Sequence, residues 1–82
     1  MEQEQIFDLV AKAKTGDADA FTDLYNGAYK MVYLTCLGHM KNPEEAEDCA
    51  QETFITIYNK LDSLEDNNTF FGWAKTIAVR VR

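Results

Sequence analysis

Apolar residues recur at three- and four-residue steps along most of this chain, and that spacing restricts its fold more than any other feature. Side chains three or four positions apart return to one side of an α-helix, whereas a half-buried strand would alternate at every second residue. Ile6, Leu9, Val10 and Ala13 form one such stripe, and Phe21, Leu24, Ala28, Met31, Val32 and Thr35 form another. A third stripe runs through Ala46, Ala50, Thr53, Phe54, Ile57 and Leu61. Phe70, Phe71, Trp73, Ala74, Ile77, Ala78 and Val81 follow the same spacing at the end of the sequence.

The residues between the stripes are helix punctuation. Thr15-Gly16-Asp17 closes a first helix of about Glu2 to Lys14, with Gly16 suited to a left-handed cap and Asp17 to capping the next helix. The second helix spans roughly Ala18 to Met40, Gly27 and Gly38 included. Asn42-Pro43 starts a third, with Asn as the cap and Pro in the first helical position, where its missing N–H costs nothing. Glu44, Glu45 and Glu47 then lie where the helix dipole favours anions, and this helix reaches about Leu61. Residues 62–68 are polar, turn-prone and without period; Thr69 is placed to cap a fourth helix, which meets the last residue, Arg82, with no stop signal. That ending suggests a longer natural chain.

With 82 residues the chain has room for one core, so the expectation is a single all-α domain over residues 1–82, a compact four-helix bundle. Its 46% apolar content and ten aromatic residues exclude a disordered segment. Cys36 and Cys49 are too few for a disulfide framework, form no CxxC pair and show no histidine at ligand spacing, so they read as small buried hydrophobes. No metal or cofactor is expected. The acidic Met1–Gln5 start and the lack of a long apolar run point to a cytoplasmic protein with no membrane insertion.

A net charge of −6 argues against general DNA coating, which depends on cations neutralising phosphates. The distribution is uneven. Residues 1–68 hold five lysines against fourteen acids, a balance of −9, whereas residues 69–82 hold Lys75, Arg80 and Arg82 and no acid, a balance of +3.

The third helix has a face that its core does not use. Glu44, Asp48, Gln51, Glu52, Ile55 and Asn59 gather opposite the Ala/Phe/Leu stripe. A solvated acidic face is the plain reading of such a charge run; Ile55 inside it points instead to an anchor for a basic partner helix, with carboxylates pairing around it. The acids lie on an exposed helix with no pocket, and His39 has no nucleophile beside it, so an enzyme is not expected.

The end of the chain has the parts needed to read a single strand: amides in a loop (Asn67, Asn68), rings (Phe70, Phe71, Trp73) and cations. Helical spacing assigns Phe70 and Ile77 to the core and leaves Trp73 open to either role.

Asn42-Pro43-Glu44-Glu45-Ala46-Glu47-Asp48-Cys49-Ala50-Gln51-Glu52-Thr53-Phe54 closely resembles the Asp/Ala-Glu-Asp-x-x-Gln-Glu-Thr-Phe signature of extracytoplasmic-function sigma factors. Gly16-Asp17-Ala18-Asp19-Ala20-Phe21 with Leu24-Tyr25 is similar to the family's opening, and Phe70-x-x-Trp73-x-x-x-Ile77-Ala78 to its last region 2 helix. The resemblance implies a non-enzymatic transcription initiation factor of the sigma-70 family, conserved region 2. Its Asp48, Gln51, Glu52, Ile55 and Asn59 would bind the clamp helices of the RNA polymerase β′ subunit. Asp66, Asn67, Asn68, Trp73, Lys75 and Arg80 would contact the melted non-template strand of the −10 promoter element. An anti-sigma factor is a further implied partner, and the family's −35-reading domain is not within these residues. Ala74 stands where the family usually has Leu, and Arg80 where it commonly has Asn. The competing reading is a helical interaction module, binding an anti-sigma or adaptor protein, with no DNA-reading role.

Overall fold

The computed structural model describes residues 3–81, and these form four α-helices with no strand among them. Helix α1 spans Gln3–Lys14, α2 Ala18–Met40, α3 Pro43–Lys60 and α4 Phe70–Arg80. Two 3-10 turns, Leu61–Ser63 and Asn67–Thr69, connect α3 to α4. Glu2 and Arg82, assigned above to the first and last helices, lie outside the described residues.

The early boundaries follow local chemistry. Gly16 has φ +96°, the left-handed conformation that costs a Cβ-bearing residue most, and Asp17 Oδ1 accepts the Ala20 N–H at 3.1 Å. Asn42 Oδ1 accepts from the amides of Glu44 and Glu45 at 2.9 and 3.3 Å, with Pro43 entering the first turn. The corner between α2 and α3 is made by Lys41, whose φ of 59° places a non-glycine residue in the left-handed region. Its N–H donates to the Leu37 carbonyl at 2.9 Å and closes α2.

One junction differs from the sequence reading. Thr69 makes no side-chain cap; its hydroxyl donates back to the Asp66 carbonyl at 2.7 Å. Asp66 is the capping residue, accepting the Asn68 N–H at 3.0 Å and starting a 3-10 turn that runs into α4. The aperiodic segment is therefore folded around its own turns, and Leu64 anchors it in the core.

Helix α2 is the central element and packs against the other three. Ala20, Leu24, Ala28, Val32 and Cys36 are its buried stripe, facing Ile6 and Val10 of α1, the Ala46-to-Ile57 stripe of α3, and Phe70, Ala74 and Ala78 of α4. The small residues at 28, 46, 50, 74 and 78 let helices approach closely at interior packing density. Phe70, fully buried, contributes about 1.5–3 kcal/mol by leaving water.

A row of rings that the apolar stripes did not reveal flanks this core. Phe21, Tyr25, Tyr29 and Tyr33 repeat every fourth residue along α2. Tyr25 lies 4.3 Å from Phe54 between ring centroids, and Tyr29 stacks on Phe54 at 6.2 Å and 9°. Phe21 meets Tyr58 edge-on at 5.2 Å. Each such pair adds about 0.5–1.5 kcal/mol beyond its buried area, so α3 is held in fixed rotation against α2.

Candidate functional site

The helical period of α3 sets which of its side chains face outward, and the ring contacts with α2 hold them there. Glu44, Asp48, Gln51, Glu52, Ile55 and Asn59 are all exposed, while Ala46, Ala50, Thr53, Phe54 and Ile57 are buried. Ile55 is 61% exposed and Tyr58, one turn on, 66%. Two large, largely apolar side chains thus stand beside three carboxylates and two amides on one outward surface. Tyr58 is the residue the sequence reading missed here; it stands one turn after the buried Phe54, at the edge of the core stripe.

The residues proposed for strand contact do not form one cluster. Trp73 is half-buried against Phe70, with centroids 6.2 Å apart, and lines a groove of about 480 Å³ with Lys60, Thr76 and Arg80. Lys60 brings a second cation to the groove that Trp73 and Arg80 line. Sequence reasoning missed it because it ends the acidic helix, and only folding carries it across to α4. Lys75 is exposed but follows Trp73 by two residues, which turns it away from the groove side of α4. Phe71 and Ile77 are half-buried against the core.

The loop amides sit elsewhere, against α1. Asn68 shares a recess of about 360 Å³ with Glu4, Phe7 and Asp8, and Phe7 is 44% exposed. Asn67 Oδ1 accepts a hydrogen bond from Lys14 Nζ at 2.7 Å, and the same ammonium donates to the Leu64 carbonyl. Asn67 is therefore partly committed to holding the loop on α1, and Asp66 to shaping its turn.

The cysteines require a correction. Both are buried thiols, as expected, but Cys36 and His39 are three residues apart on one helix face, and α3 brings Cys49 to them. The side-by-side reading along the sequence could not see the third donor. Burial, followed by the neighbouring Cys49, pushes the Cys36 thiol pKa up to about 12. His39 is exposed near the end of α2.

No helix among the described residues is long and apolar enough to cross a membrane. The sigma-70 region 2 family matches residues 24–81. The ECF RNA polymerase sigma factor SigW of Bacillus subtilis is 38% identical over 72 residues, covering 88% of this chain and 38% of the relative. The RNA polymerase sigma-H factor of Pseudomonas aeruginosa is 31% identical over 77 residues, 94% of this chain and 40% of that protein. The ECF RNA polymerase sigma factor BldN of Streptomyces coelicolor is 32% identical over 75 residues, 90% and 28% of the two chains. The chain thus spans two fifths or less of the length of these relatives. No solved structure matches it. An all-helical fold, an α3 signature displayed as an outward face, and a family match reaching from α2 through α4 agree: this chain belongs to the sigma-70 family as a region 2 domain of the extracytoplasmic-function type.

Proposed function

We propose that this domain binds core RNA polymerase through the outward face of α3 and reads the melted −10 strand through residues 66–80, without catalysing a reaction. The observation that carries the reading is Ile55, 61% exposed in the middle of a carboxylate and amide surface. An aliphatic side chain in water is stabilised by a partner that covers it, and Asp48 and Glu52 beside it favour a basic one. The β′ clamp helices are the partner we assign, with Gln51, Asn59 and Tyr58 at the edges of the contact. An anti-sigma protein would act by covering this same face or the groove behind it.

For DNA, the groove lined by Trp73, Lys60 and Arg80 combines an aromatic ring with two cations, the chemistry that holds an unstacked base and its phosphate. Asn68 offers an amide for a base edge at a separate point, so the strand would run from the recess beside α1 toward α4. The net acidity of the domain fits a factor whose DNA affinity comes mostly from the polymerase.

The test is the double substitution Glu52→Ala/Ile55→Ala. Polymerase affinity should fall at least tenfold, roughly 1.4 kcal/mol, while helicity and thermal midpoint stay near those of the parent. Unchanged affinity in a folded double variant would sink the α3 assignment. If polymerase binds but capture of a −10 non-template oligonucleotide by the complex is indifferent to Asn68→Ala and Trp73→Ala, the domain is an interaction module with no strand-reading role.

A further inference from the structure

The corner between α2 and α3 brings together two thiols and an imidazole that the proposed function does not use. Cys36 Sγ, a His39 ring nitrogen and Cys49 Sγ all lie within 4.8 Å of one another. Ligands of a tetrahedral zinc ion stand roughly 3.5–4 Å apart, given Zn–S near 2.3 Å and Zn–N near 2.0 Å. A contraction of at most about 1.3 Å would close the three donors on one ion. We propose that Cys36, His39 and Cys49 form a binding site for a thiophilic divalent cation of the zinc type.

Three features support the assignment beyond proximity. The donor set of two sulfurs and one imidazole selects soft and borderline metals, whereas magnesium and calcium require oxygen. The backbone around it is fixed: Cys36 and His39 are one turn apart on α2, and the turn to α3 is held by the left-handed Lys41 and by the Asn42 cap. The burial is graded, with both cysteines at 0% exposure and His39 exposed, so an ion would enter past the imidazole and keep its fourth position toward solvent. On binding, both thiols give up their protons to solvent and the sulfurs coordinate as thiolates. Thr53 Oγ1 lies 4.0 Å from Cys36 Sγ, beside the site.

Such an ion would staple the end of α2 to the second turn of α3. The inference is independent of what α3 binds, because it rests on these three side chains alone.

The experiment uses the reduced full chain, kept reduced by a phosphine, with Co²⁺ as the spectroscopic probe and Zn²⁺ as competitor. The expected result is one ion per chain, a sulfur-to-cobalt charge-transfer band with intense tetrahedral visible bands, displacement by Zn²⁺, and a raised thermal midpoint with zinc. Cys49→Ala should abolish the charge-transfer signature of paired thiolates. His39→Ala, an exposed change that leaves the metal-free fold intact, should weaken Zn²⁺ binding at least tenfold. A folded, reduced parent without the cobalt–thiolate band would overturn the site, and so would Zn²⁺ affinity unchanged by His39→Ala. Because the histidine variant does not depend on repacking the core, the result stands even if Cys49→Ala fails to fold.

Discussion

The outward face of α3 and the segment from Leu61 to α4 both carry residues expected to meet a macromolecule, yet they are built in opposite ways. The α3 face is made by neighbours in sequence: an Asn42 cap, a proline first turn, and a helical period that turns Ile55 out as it turns Phe54 in. The connecting segment is made by a partner far along the chain. Lys14 of α1 reaches Leu64 and Asn67, fifty and fifty-three residues away, and Leu64 plugs the core. A surface formed from local rules takes its shape from one helix alone. One formed from long-range contacts has already used some of its polar groups on itself.

Three measurements sharpen or break this contrast. The largest effect is expected from Lys14→Met, which keeps the apolar stem but removes the donor to Leu64 and Asn67; losing a charged hydrogen-bond donor there should cost about 1–2 kcal/mol in denaturant unfolding. Amide exchange should quicken at residues 64–69 and not along α3. Equal quickening in both would show that the two regions are not separately built. Asn42→Ala removes acceptors for two amides at the start of α3 and should cost about 1 kcal/mol, with fraying confined to the first turn. Ile55→Ser should change stability by no more than about 0.5 kcal/mol, the range for surface positions. A larger loss would place Ile55 in the fold and not at a partner surface.

The core stripes were legible in the sequence because burial on a helix is periodic. Ala46, Ala50, Thr53, Phe54, Ile57 and Leu61 are all buried, and the α2 boundaries match the reading residue for residue. The cap at Thr69 was not. Asp66 and Thr69 both have capping chemistry, and the choice between them depends on the 3-10 turn that Leu64 and Lys14 hold in place. The aromatic row from Phe21 to Tyr33 was equally hidden, since its meaning lies in Phe54 and Tyr58 on another helix.

The candidate sites divide on the same line. Asp48, Gln51, Glu52, Ile55 and Asn59 could be grouped from the sequence, because one helix fixes their relative positions. The strand-contact residues could be named but not arranged. Folding separates Asn68 from Trp73 and Arg80, adds Lys60 to the latter, and turns Lys75 away from their groove.

What the sequence determined by itself is the set of helices, the inward and outward sides of α3 and the family, all of which depend on spacing within a single element. What only the tertiary structure decided is which side chains from different elements come together: Lys14 bonded to Asn67, Lys60 lining one groove with Trp73 and Arg80, and Cys49 beside Cys36 and His39. Helical period sets direction around one axis, but the rotation and closeness of two axes come from how their side chains interlock, and that is settled only when the whole core packs at once.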